Sequence, residues 1–348
     1  MKNKSIASYL GIIGLLLVVM AGWYIYSFRS QPSFDAAQGE PESVTSVIQP
    51  THTFTATAAP PPTPSETPQP TPSPVPTQME PVPFNGQRAY TDVETQVAFG
   101  PRSPGTEGHA KIREWMRSEL ESAGWQVEVQ ESEALGHPII NLAAKRGDES
   151  PQIIIGAHYD SRIFADRDQD PANHAQPVPA ANDGASGVAV LLELARSLPM
   201  DTVPVWLIFF DAEDNGRIEG WEWILGSREF VKNNPAIQQR AVVIVDMIGD
   251  VDLNIFMERN SNPELTNEIW ATARSLGHEN TFIPEYRHSI LDDHTPFLEA
   301  GIPAVDIIDF DYPYYHTTQD TLDKVSAKSL QVVGETVATW IVQQNPQN

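Results

Sequence analysis

Histidines and carboxylates stand at the ends of apolar runs between residues 158 and 316: His158 with Asp160, then Asp183, Glu213 with Asp214, Asp246 and His316. Imidazole nitrogens and carboxylate oxygens are the ligands that a borderline divalent ion such as zinc takes when one position must stay open for a reacting oxygen. Taken singly, each has a plainer reading. A histidine after a strand is ordinarily a hydrogen-bonded structural residue, an aspartate before a helix an N-cap, and two adjacent acids a solvated loop. Glu213 and Asp214, however, follow the apolar run 206–210 directly, where two neighbouring carboxylates repel each other unless a cation lies between them. The signal is the set.

The elements that must position this set can be read from hydrophobic pattern. Apolar residues at helical spacing (Ile112, Trp115, Met116, Leu120) predict a helix over 109–123 that ends at Gly124. Residues 125–130 alternate with period two and predict a half-buried strand, paired with 139–144. Continuous apolar runs follow at 153–157, 205–210, 242–245 and 304–308. Runs without alternation are strands buried on both faces, so the expected fold is α/β: a mixed, mostly parallel central sheet with helices on both faces. Each run leads into polar residues of the set, and ligands of open parallel sheets gather beyond the carboxyl ends of the strands. Asp183 enters separately, ahead of a helix expected over 188–198.

Composition bounds the function. The 348 residues include 22 Lys+Arg against 46 Asp+Glu, a net charge of −24 that repels phosphate backbones and excludes nucleic acid as a partner. Such a surface suits a substrate with a free α-amino group. There is no cysteine, so N and O ligands must hold any metal. Residues 1–29 read as an uncleaved transmembrane signal anchor. Lys2 and Lys4 precede an apolar stretch over 7–26 that ends in Trp23, Tyr24 and Tyr26, close to the roughly 20 residues a spanning helix needs. The lysines leave the N-terminus in the cytoplasm and the remainder outside it, membrane-anchored by a single pass. Residues 30–85 are rich in Pro, Thr and Ser and read as a disordered stalk, leaving 86–348 as the catalytic domain.

The series GAHYDS, AANDGASG, FFDAED, VDMIG, DDHTPF and HTTQDT, opened by GPRSPGTEG, resembles metallopeptidase family 28, the zinc aminopeptidase fold, and most closely its glutaminyl-peptide cyclotransferase-like members. The resemblance covers residues 91–341 and keeps the motif order. For the aminopeptidases it implies two zinc ions bridged by Asp183, one completed by His158 and Asp246 and the other by Asp214 and His316. Asp160 would then orient His158, and Glu213 would be the general base for the attacking water. For the cyclotransferases it implies one zinc held by Asp183, Asp214 and His316. There an N-terminal glutamine closes to pyroglutamate and releases ammonia, with Glu213 carrying the proton and Asp246 and Asp292 supporting it.

The doubled acid Asp292-Asp293, the aromatic Tyr315 before His316, and a tryptophan at Trp221 or Trp223, with Trp221 taken as the pocket residue, favour the cyclotransferase side. Asp214 departs from the glutamate more common in both groups, so its carboxylate must reach the metal with one methylene fewer. Peptide N-termini are the expected substrates in either case. A third possibility, a membrane-anchored binding ectodomain without catalysis, sits poorly with the survival of Glu213 and of every ligand candidate.

Overall fold

The computed structural model describes residues 82–147, 149–236 and 239–345. The anchor and all of the stalk before Val82 lie outside the described residues. Among the described residues, no helix is long and apolar enough to cross a membrane. The packed chain starts ahead of the expected Gly86 boundary: Val82 and Phe84 are buried in the main core, and the Val82 amide donates to Thr339 Oγ1 at 3.3 Å.

In chain order the elements are α1 (Gly86–Ala98), α2 (Glu107–Ser122), β1 (Gln126–Ala134), β2 (His137–Lys145), β3 (Ile153–His158), α3 (Ala185–Ser197), β4 (Val205–Phe210), α4 (Leu225–Asn233) and β5 (Ala241–Asp246). Then come β6 (Ile255–Met257), α5 (Pro263–Ser275), β7 (Phe282–Tyr286), α6 (Thr295–Glu299), β8 (Ala304–Ile308) and α7 (Ala327–Gln343). The main sheet has the order β1-β2-β4-β3-β5-β8. Strands β4, β3, β5 and β8 are mutually parallel, and the β1-β2 hairpin adds antiparallel to the β4 edge. β6 and β7 form a separate small parallel pair.

Alternation along the buried strands assigns each side chain to a face. Ile153, Ile155, Leu207, Phe209, Val243, Val245, Val305 and Ile307 join a core shared with α1, α3 and α7. Ile154, Ile208, Phe210, Val242 and Ile244 form a second core with Phe230 of α4 and Phe297 of α6. Each fully buried aliphatic or aromatic side chain contributes roughly 1.5–3 kcal/mol, so the sheet is a stiff frame for whatever stands at its ends. β3 lies at the centre with β4 on one side and β5 on the other. Its carboxyl end is therefore the point where the strand order reverses, which is where open parallel sheets form a crevice.

Candidate metal centre and active site

His158 is the last residue of β3, and its Nε2 faces two carboxylates, Asp183 Oδ1 at 3.1 Å and Asp246 Oδ1 at 3.2 Å. Asp246 ends β5, the neighbouring strand, so adjacent strand ends supply this pair. The other oxygen of Asp183 lies 3.6 Å from His316 Nε2, which in turn sits 2.7 Å from Asp214 Oδ1. Two groups result, His158/Asp183/Asp246 and Asp183/Asp214/His316, each with its potential ligand atoms within 4.8 Å of one another. Asp183 offers one oxygen to each.

Local structure fixes these positions. Both backbone amides at Asn182 and Asp183 donate to the Asp320 carboxylate, at 2.9 and 3.1 Å, and Tyr312 donates its hydroxyl to the same group at 2.7 Å. Asp183 thus owes its place to Asp320, a residue of the HTTQDT segment that sequence reading had not singled out. The Asp183–Gly184 peptide is cis. A Cβ on Gly184 would lie 2.5 Å from His158 Nε2, so only glycine lets this loop pass over the imidazole. Asp160 accepts from the Glu213 and Asp214 amides and from Asn215 Nδ2, at 3.0, 3.3 and 3.1 Å, and lies 3.4 Å from His158 Nδ1. It does not line the cavity. It ties the β3 end to the β4 end and orients His158, so it is a positioning residue and not a catalytic one, because its oxygens are consumed by the loop.

The electrostatics call for a cation. Asp183, Glu213, Asp214 and Asp246 are all buried, and Asp214 Oδ2 has no hydrogen-bond partner. Burial, opposed by His158 and reinforced by Asp214 and Asp292, drives Glu213 well above the usual carboxylate range. Burial likewise lifts Asp246 to about 7 against the pull of His158, and raises Asp214, helped by Asp183. Buried carboxylates and imidazoles with an orphaned oxygen among them are a donor set that a divalent ion satisfies. The residues fit zinc in either one- or two-ion form.

These groups form the floor of a cavity of about 550 Å3. Asp292 and Tyr315 line it as expected, but Trp221 does not. Its ring stacks on His137 at a centroid distance of 3.7 Å and packs against a small cluster of Ile139, Ala212 and Leu225. Trp223 lines the cavity instead, stacked on His316 at 5.8 Å and 15°. It lies over Gly216, where a Cβ would come within 2.2 Å of the indole. Arg162, also unremarked in the sequence, runs beneath Trp223, donating to the Asp214 and Gly216 carbonyls and pairing with Asp166 at 2.6 Å.

Asp292 also belongs to a third buried group, with His294 and Asp306. Asp306 sits inside the apolar run 304–308 and was read there simply as strand. Its carboxyl lies against Asp292 and is pushed well above the usual range, first by burial and then by Asp292. Glu258, held by the Asn260, Ser261 and Ile290 amides, stands 3.4 Å from His294 Nε2.

Comparison with known proteins agrees with this geometry. The model of peptidase family M28 matches residues 140–341. The chain belongs to that family. It is 28% identical over 223 residues to the aminopeptidase YwaD of Bacillus subtilis, a match covering 58% of this chain but only 43% of that protein's length. Among solved structures, a Zn-dependent exopeptidase from Parabacteroides distasonis superposes with a TM-score of 0.72 at 32% identity, covering 76% of this chain and 100% of that one. The glutaminyl cyclase of Porphyromonas gingivalis gives 0.71 at 33%, with the same coverage. The M28 fold is thus one that zinc exopeptidases and glutaminyl cyclases share.

Proposed function

We propose that the chain is a zinc-dependent glutaminyl-peptide cyclotransferase, converting N-terminal glutamine to pyroglutamate with release of ammonia. The observation that carries this reading is the aromatic lining of the cavity. Trp223 stacks on His316, Tyr315 meets the same imidazole edge-on, and both rings line the cavity with Asp183 and Asp214, a setting in which a flat side-chain amide could lie against an aromatic face. A zinc ion held by Asp183, Asp214 and His316 would polarise the carbonyl of that amide. Glu213 takes a proton from the α-amine as its nitrogen bonds to the side-chain carbonyl carbon. It returns that proton to the amide nitrogen, which leaves as ammonia when its bond to the carbon breaks. The carboxyl pushed upward by burial is matched to both halves of the transfer. Asp246 and Asp292, on the cavity floor, hold the amine toward the carbon it attacks.

A second reading, zinc aminopeptidase, has its own observation: the group His158/Asp183/Asp246 is complete and shares Asp183 with the first. In that scheme Glu213 takes the proton of an attacking water. One experiment separates the two. Purified full-length protein is assayed for ammonia from a Gln-initiated peptide and for cleavage of an aminoacyl chromogenic amide, with zinc counted per chain. Ammonia with about one zinc supports cyclisation, and amide cleavage with about two supports hydrolysis. Neither activity, with zinc bound, removes both.

We further propose, from residues 1–29 alone, that the domain is held at the membrane on the extracytoplasmic side. Fractionation with protease protection tests this, since a fully soluble chain would contradict it.

A further inference from the structure

The cavity is polarised. Its floor carries the carboxylates of Asp183, Glu213, Asp214, Asp246 and Asp292, all buried, whereas its exposed mouth carries the guanidinium groups of Arg167 and Arg217. In a chain where 46 acids face 22 bases, an arginine without a carboxylate partner is the less expected outcome. Yet among the described residues neither Arg167 nor Arg217 forms a salt bridge. The one acid beside them at the mouth, Asp166, is already taken by Arg162 at 2.6 Å. Glu222 lines an adjoining groove that shares Trp223.

Both arginines are also held in place. The Arg167 amide donates to the His316 carbonyl at 3.2 Å, and its guanidinium lies 3.9 Å over the Tyr315 ring. Arg217 occupies a left-handed turn position with φ of 65°, next to Gly216, whose carbonyl Arg162 grips. Both side chains line the same cavity, beside Trp223 and Tyr315. Two like charges lining one cavity, where the neighbouring Asp166 is engaged by Arg162, form a site for an anion arriving with the substrate.

We propose that Arg167 and Arg217 form a carboxylate subsite at the mouth, selecting peptides that carry a carboxylate on the residue after the N-terminal glutamine. The inference rests on the cyclisation reading above. With the α-amine held at the acidic floor, the chain leaves the cavity past the arginines, so an anionic second residue meets the opposite charge there. The carboxylate has two sources, the side chain of Asp or Glu and the α-carboxylate of a dipeptide.

The test measures kcat/KM for ammonia release by the zinc-loaded full chain. One arm uses C-terminally amidated tripeptides Gln-Glu-Ala, Gln-Gln-Ala and Gln-Lys-Ala, and the other compares Gln-Ala as free acid and as amide. In low salt the Glu peptide should exceed the Lys peptide by about ten-fold, and high salt should narrow the gap. A free-acid advantage in the second arm assigns the α-carboxylate as a ligand too. Arg217→Glu should invert the Glu/Lys ratio, and Arg167→Gln should bring it toward one. Because each ratio is taken within one variant, partial loss of folded protein cancels. Ammonia from the neutral peptide with equal rates for Glu and Lys, and for acid and amide, would overturn the subsite and leave cyclisation standing. So would a ratio unmoved by both substitutions. No ammonia from any peptide would remove the cyclisation reading and the preference with it.

Discussion

Gly184→Ala tests the centre most directly, because the structure supplies the size of the perturbation. The added methyl would lie 2.5 Å from His158 Nε2 and 2.6 Å from both flanking ring carbons. An ordinary van der Waals contact begins near 3.4 Å, so the ring and the loop must part by about 0.9 Å. The imidazole has little room to yield. Its Nε2 faces Asp183 and Asp246, its Nδ1 faces Asp160, and its exposure is 1%. Overpacking of this kind costs about 1–3 kcal/mol in stability. Displacing a ligand or its orienting contacts by this much weakens metal binding about 10–100-fold. The loss should fall on the group containing His158, leaving Asp183/Asp214/His316 competent, since the three atoms nearest the added methyl all belong to the His158 ring. Zinc titration by calorimetry on the metal-free protein reads this as the disappearance or weakening of one binding event. If hydrolysis with two ions is the reaction, turnover falls with it; if cyclisation with one ion is the reaction, ammonia release persists within about ten-fold. If the protein binds two ions, a Gly184→Ala variant with wild-type zinc affinity and stoichiometry would refute the packing of this loop against His158, and with it the assignment of His158 to the centre; if it binds one, an unchanged melting temperature would refute that packing.

Glu213→Gln should keep zinc and lose about 10²–10⁴-fold in kcat, because the amide cannot carry the proton; turnover near wild type would remove Glu213 from its role. Trp223→Ala should lower kcat/KM about ten-fold by opening the aromatic slot, whereas Trp221→Ala should destabilise the fold by about 1–2 kcal/mol and leave kcat/KM within about two-fold. The reverse pattern would restore Trp221 to the pocket. Burial, partly offset by the Asn254 and Asp311 amides, raises Asp309 to about 7. The folded state then binds more protons than the unfolded between roughly pH 4 and 7, so this residue's contribution to stability is full at low pH and is lost as pH rises through 7. Asp309→Asn should flatten the fall in melting temperature between pH 5 and 8 relative to wild type, and parallel curves would contradict the assignment.

The sheet was legible because its strands are buried on both faces, which leaves unbroken apolar runs; 205–210 and 304–308 coincide with β4 and β8. Two members of the candidate set, His158 and Asp246, were legible for the same reason, since each ends a strand of defined direction. Other features left weaker traces. α1 buries only Gly86, Ala89, Asp92, Val93 and Gln96, too few apolar groups to stand out, and β6 spans three residues. Trp221 and Trp223 occupy a turn segment, where no periodicity tells which ring faces the cavity. Asp306 was hidden by its apolar neighbours, although strand alternation alone sends it to the face opposite Val305 and Ile307. Asp320 and Arg162 act by holding backbone, and a sequence carries no mark of a side chain whose partners are distant amides and carbonyls.

The same frame serving two reactions follows from what it holds constant. Strand ends set the carboxylates and imidazoles, and Asp160 and Asp320 lock the two loops that complete them by accepting backbone amides. Neither lock lines the cavity. Above that floor stand Trp223 and Tyr315, which line the cavity, and Asp183, which faces both candidate metal groups. The Trp223 wall is built on Gly216 and braced by the Arg162 guanidinium, and it touches the candidate ligands only through the Trp223 stack on His316 and the Arg162 bond to the Asp214 carbonyl. The loop from Asn215 to Trp223 and the residues at the mouth are therefore where substitutions that interconvert the two activities should be sought.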